Sequence, residues 1–124
     1  MREEQIQEAP VKVLLVGVDI GEEADFEHSM EELASLAEAA EKEVVGQIVQ
    51  RLDHVNKALY IGTGKVAEVR RLAEERGAQE VVFDNSLTPS QVRNLGKELE
   101  LTVIDRTNLI LSLIHISELT RPEP

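Results

Sequence analysis

The chain has 124 residues, a formal net charge of −11, no Cys, no Trp, one Tyr and two Phe. That length suits one domain, and the missing cysteines exclude disulfides, thiolate catalysis and Cys-ligated zinc. The acidic balance argues against a general nucleic-acid binder, whose affinity comes from neutralising phosphates with Lys and Arg, while leaving room for a local basic contact.

Residues 1–10, MREEQIQEAP, read as a disordered leader: polar and acidic, without the apolar stretch of a signal sequence. No later run approaches the ~20 apolar residues needed to cross a bilayer, so the expectation is a cytoplasmic protein with no membrane partner. Val11 to Val18 is a nearly continuous apolar run, as in a strand buried on both faces. Asp25 is a good N-cap, and Phe26, Met30, Leu33, Ala37 and Ala40 then recur at helical spacing, predicting an amphipathic helix to about Lys42. Val44 to Leu52 reads as a second strand and Leu59 to Ile61 as a short third, of unfixed direction. Gly62-Thr63-Gly64-Lys65 is a tight turn into a helix whose buried stripe is Val66, Val69, Leu72 and Ala73, with Gly77 in the C-cap place. Val81 to Phe83 is a strand closed by Asp84-Asn85. Thr88 and Pro89 fit the N-cap and first position of another helix, with Val92, Leu95 and Leu99 inward. Leu101 to Ile104 is a final strand.

Strands alternating with helices imply an α/β fold, a small and mostly parallel sheet of four to five strands flanked by helices on both faces. The core must be aliphatic. Residues 112–124 do not fit this pattern and read as a foreign tail, with a natural helix fraying at Pro122 as the alternative. The apolar flank Leu109 to Ile116 would then be exposed, and self-association through it is expected.

Ligand crevices in parallel sheets lie beyond the carboxyl ends of the strands, where Asp19, Asp84 and Asp105 fall. Three carboxylates there can hold a metal or tune one another's ionisation. The plainer account is that Asp caps helices and shapes turns. It is preferred, since no nucleophile stands at a recognisable spacing, and no catalytic residue is assigned. Gly62-x-Gly64-Lys65 can cradle an anion on backbone N–H groups with Lys65 as counter-charge, but it is neither a Walker A motif nor a complete GxGxxG. Arg70, Arg71 and Arg76 are interleaved with Glu68, Glu74 and Glu75, as on a solvated helix face. Arg93 and Lys97 form a small basic ridge. His28, His54 and His115 are scattered and suggest no metal site.

Several strings together resemble HflX-type ribosome-associated GTPases over residues 11–111: Leu14 to Val18, Tyr60 to Glu68, Val82 to Asn85, Leu87 to Leu95, and Val103 to Thr107. The combination of I-G-x-G-K, F-D-[DN]-x-L-[ST]-P-[ST]-Q-x-R-N-L and V-I-D-R-T in that order is specific. The resemblance implies an amino-terminal accessory domain acting in cis with a P-loop GTPase domain, and the large ribosomal subunit as partner in splitting or rescuing ribosomes. It places the functional surface at Gly62, Gly64, Lys65, Arg93, Asn94, Asp105 and Arg106. With Asp84 from the strand edge and Lys97 from the basic ridge, nucleotide or phosphate contacts are expected at Gly62, Gly64, Lys65, Asp84, Asp105 and Arg106, and ribosome or RNA contacts at Lys65, Arg93, Asn94 and Lys97. The family's helical hairpin, P-loop lysine and magnesium-binding Ser or Thr have no counterpart here, and Ser112 onward departs from its pattern. A truncated, non-enzymatic piece is therefore expected, with no cofactor of its own; GTP and Mg2+ belong to the full-length family. The competing expectation is a stand-alone nucleotide- or phosphate-binding α/β domain. A receiver-like signalling domain ranks last, because Asp19 lacks an acidic neighbour and Arg106 stands where a lysine is needed.

Overall fold

The computed structural model describes residues 9–21 and 25–120, with side chains as far as Ile114. Strand β1 (Val11–Asp19) leads to helix α1 (Phe26–Ala39), then β2 (Lys42–Arg51), α2 (Thr63–Arg76), β3 (Glu80–Phe83), α3 (Pro89–Leu99), β4 (Thr102–Asp105) and α4 (Arg106–Thr120). The strands form one sheet in the order β2-β1-β3-β4, and every pairing is parallel. The α/β class, the parallel sheet and the two helix layers are as the sequence predicts.

Alternation along the central strands divides the core into two layers. Leu14, Val16 and Val18 of β1 point with Ile48, Val81 and Phe83 towards α2 and α3, where they meet Val66, Val69, Ala73, Leu95 and Leu99. Val13 and Leu15 point with Val82 the other way, towards Met30, Leu33 and Ala37 of α1 and Leu109 of α4. Continuous apolar sequence in β1 is what a strand covered on both faces requires. The outer strand β2, by contrast, has Ile48 as its one buried residue.

Helix ends follow local chemistry. Asp25 accepts from the His28 N–H at the start of α1. Thr88 and Gln91 form a reciprocal capping box with Pro89 in the first turn of α3. Gly77 closes α2 in the left-handed region, at φ 72°.

Several predicted boundaries and one predicted strand need correction; β2, for one, runs over Lys42–Arg51 rather than Val44 to Leu52. The first helix stops at Ala39, because Glu41 turns left-handed at φ 63° and Lys42 already belongs to β2. The last strand starts at Thr102 rather than Leu101, since Glu100 ends α3 in a left-handed turn. The strand expected at Leu59 to Ile61 does not form. Tyr60 instead makes an isolated antiparallel bridge with Asn56, while the Asn56 Oδ1 accepts from the N–H groups of Ala58 and Leu59. The apolar side chains that suggested a strand are buried by the turn itself: Ile61 is fully buried, and the Tyr60 ring stands edge-on to Phe83 with centroids 6.5 Å apart.

Residues 106–120 are helical, so the segment 112–120 of the expected foreign tail continues α4. Of the leader, residues 1–8 lie outside the described residues, as do residues 121–124.

Candidate functional site

In this strand order the chain leaves β1 for α1 on one face and leaves β3 for α3 on the other. The crevice of such a sheet therefore opens beyond the carboxyl ends of β1 and β3. Here it is spanned by Asn85, whose side-chain amide accepts from the Val18 N–H and donates to the Val18 carbonyl, both at 3.0 Å. That pair extends the β1–β3 ladder by a side chain.

The three carboxylates at this edge are each engaged. Asp19 accepts from the Gly21 N–H at 2.9 Å. Asp105 is buried; it accepts from the backbone N–H groups of Leu87 and Asn108 and from the Asn108 side chain, each at 2.9 Å. Asp105 thus caps α4 while fixing the loop into α3. Asp84 lies at the centre of a larger network. It accepts from Ser29 Oγ at 2.8 Å and from Arg106 Nε at 3.0 Å, and it forms an ion pair with Arg106 Nη2 at 2.9 Å. Arg106 also donates to the Ser29 carbonyl at 2.7 Å and reaches Glu32 at 3.4 Å. A guanidinium whose fork is divided among two carboxylates and a carbonyl is a clasp joining β3, α1 and the first turn of α4.

Lys65 stands apart from this clasp, on the layer of α2 and α3. Its ammonium pairs with Glu68 at 2.8 Å. Gly62 caps α2 in an extended conformation with no side-chain hydrogen bond, and a Cβ added at Gly62 or Gly64 would meet nothing within 4 Å. The first turn of α2 is therefore sterically open, as a backbone anion cradle requires. So of the six residues assigned to nucleotide or phosphate contacts, the fold joins Asp84 to Arg106, sets Asp105 directly before Arg106, and puts Gly62, Gly64 and Lys65 on another layer.

The RNA-contact candidates lie on α3. Asn94 donates to the Ala58 carbonyl at 3.1 Å, and Lys97 lines a shallow groove of about 280 Å3 with Ala58, Leu59, Asn94 and Glu98. Arg93 is exposed and donates to Ser90 Oγ at 3.4 Å. Among the described residues Arg71, Arg93 and Lys97 have no acidic partner, whereas Arg70 pairs with Glu74 and Glu100. His28 and His54 are exposed, and no group of three or more His, Cys, Asp or Glu among the described residues is placed to hold a metal.

Sequence reasoning missed Gln91, Ser29 and Glu32. Gln91 is buried: its Oε1 completes the capping box, and its Nε2 donates to the carbonyl of Lys57 at 3.1 Å and to that of Asn56 at 3.4 Å. A Gln three residues after an N-cap Thr is a readable signal. Ser29 and Glu32 carry none, because their partner Arg106 is distant in sequence.

Residues 27–114 match the family described as GTP-binding GTPase N-terminal. The chain belongs to this family, as the amino-terminal domain of HflX-type GTPases. It is 46% identical to GTPase HflX of Alkalihalophilus pseudofirmus, over 82% of this chain and 24% of that protein. GTPase HflX of Lacrimispora saccharolytica is 33% identical over 94% of the chain and 28% of its own length. GTPase HflX of Escherichia coli is also 33% identical, over 86% and 25%. The chain thus spans about a quarter of the length of these relatives. A crystal structure of SsGBP with GDP shares the fold at TM-score 0.65 and 22% identity, covering 86% of this chain and 29% of that one.

Proposed function

We propose that this HflX-type domain is the accessory part of a larger GTPase, contacting the large ribosomal subunit in the cytoplasm and aiding the splitting or rescue of ribosomes. The family match over residues 27–114 carries this reading. GTP and Mg2+ would be handled by a GTPase domain in cis, and the accessory domain contributes surface rather than chemistry. Its α2–α3 layer supports the assignment, since Arg71, Arg93 and Lys97 project from it without acidic partners among the described residues. Lys65 and Asn94 contribute less, because Glu68 and the Ala58 carbonyl already engage them.

Co-sedimentation with large ribosomal subunits across a salt series tests the reading. Binding that falls steeply with salt is the expected result, because released counterions supply most of the affinity. A folded chain that fails to sediment at low salt would overturn direct contact by this domain.

The second reading is phosphate or nucleotide binding at the open first turn of α2. The missing side-chain cap at Gly62 favours it. Calorimetric titration with ATP and GTP decides: heat that disappears in Lys65→Ala supports this site, and unchanged binding by that variant removes it.

A further inference from the structure

Charge is segregated between the two layers. α1 carries Glu27, Glu31, Glu32 and Glu38 with no Lys or Arg, and Asp25 caps it. The basic residues of α2 and α3 lie across the sheet, so the α1 side repels the phosphates that the other side attracts.

Beside α1 the sheet is uncovered. β2 is the outermost strand, and no described strand pairs with its free edge. Gly17 lets α1 settle closely onto β1, since a Cβ there would collide with Met30 Sδ and lie 2.8 Å from Phe26 Cζ. Drawn in over β1, α1 leaves the matching side of β2 open. Gln47 and Val49, paired with Leu15 and Gly17, stand on that shelf, and Val49 is 43% exposed. The resulting groove of about 860 Å3 has an apolar floor of Phe26, Met30, Ala34 and Val49, with Asp19, Asp25, Glu27 and Glu31 around it.

The free edge itself is passable. Edge strands are usually guarded by bulges or charges. In β2 the register shift falls at Val45, whose carbonyl accepts from Arg76, and the charges at Lys42, Glu43 and Arg51, whereas Gly46 to Gln50 is uncharged and in regular register with β1.

We propose that this groove docks an extended, cationic polypeptide segment, added along the free edge of β2 with Lys or Arg at alternate positions. Strand residues two apart share one face. Their aliphatic stems would cover Phe26, Ala34 and Val49 while their charged heads reach Glu27, Glu31 and Asp25. Charge selects this occupant over others. Nucleic acid is repelled, the chain's own residues 1–8 bring Glu3, Glu4 and Glu8 against a single Arg2, and the exposed stripe of α4 in a second copy is apolar and uncharged. The inference is independent of the ribosome binding proposed above, which is assigned to the opposite layer.

A dye-labelled peptide alternating Lys and Thr, titrated into the full chain at low salt, tests it. Saturable binding is expected, with amide chemical-shift changes centred on Gly46 to Gln50. The surface variant Glu27→Lys/Glu31→Lys should weaken it by about ten-fold, and a Glu–Thr peptide should not bind. Unchanged affinity in the charge-reversed variant, shifts centred on α2 or α3, or no binding by the folded chain would each overturn the proposal.

Discussion

Replacing Asp84 by Ala should loosen the whole α1–α4 layer. The Asp84 side chain is 6% exposed and accepts two hydrogen bonds, one from Arg106 and one from Ser29, while the Arg106 guanidinium also ion-pairs with it. Removing one partner of a buried ion pair costs about 3–5 kcal/mol, mostly because the other charge is left uncompensated. Arg106 is 24% exposed and keeps the Ser29 carbonyl and Glu32, which places the loss at the lower end, about 3 kcal/mol. For a domain of this size that is a fall in Tm of roughly 12 °C. Urea unfolding followed by circular dichroism measures it. The companion Arg106→Ala and the double variant complete a cycle, in which the double should lose about 2 kcal/mol less than the two singles added together. A coupling energy below about 0.5 kcal/mol would refute the clasp and reduce the contact to surface charge.

Gln91→Ala should cost about 2 kcal/mol, since it removes half a capping box and both tethers to the 56–57 carbonyls. Hydrogen exchange should then accelerate at Ala58 to Tyr60 more than in β1, and uniform exchange would count against a local role. On α4, Ile110, Leu111 and Ile114 are 38%, 54% and 53% exposed. They should drive self-association that Leu111→Asp/Ile114→Asp abolishes, read by analytical ultracentrifugation; a parent chain that stays monomeric at high concentration rejects this. Arg93→Ala/Lys97→Ala should lower the salt slope of ribosomal co-sedimentation by up to about 2 while leaving unfolding unchanged. An unaltered slope would move the contact elsewhere.

Local signals in the sequence proved sound where one residue decides the outcome. Asp25, Thr88, Pro89 and Gly77 each do what their chemistry dictates within a few bonds of the chain. The β1 run was legible because its burial on both faces erases alternation. Leu59 to Ile61 misled because apolar content reports burial and not the conformation that achieves it: Tyr60 is buried at φ 69°, outside any strand. The site was legible only as a list of positions. Asp84 and Arg106 both stand out in the sequence, but sequence order cannot show that they bond each other directly and share Ser29, because those contacts depend on α4 returning to the face of α1.

That return also explains why residues which resemble a ligand site here serve the fold. A carboxyl-edge Asp is free for chemistry only if the following segments leave its oxygens unpaired. In this domain each strand end is bonded by its neighbours: Asp19 by Gly21, Asp105 by Leu87 and Asn108, Asp84 by Ser29 and Arg106, with Asn85 across the crevice itself. Displacing the bonds at the buried Asp84 or Asp105 would leave a buried polar group unsatisfied, at roughly 1–3 kcal/mol each, so a ligand entering there must replace them. The surfaces free of that cost are the open first turn of α2, Arg71, Arg93 and Lys97, which have no acidic partner among the described residues, and the Gly46 to Gln50 edge of β2. Recognition by this domain should therefore run through its outer layers, with the sheet's carboxyl edge acting as the frame that holds those layers apart.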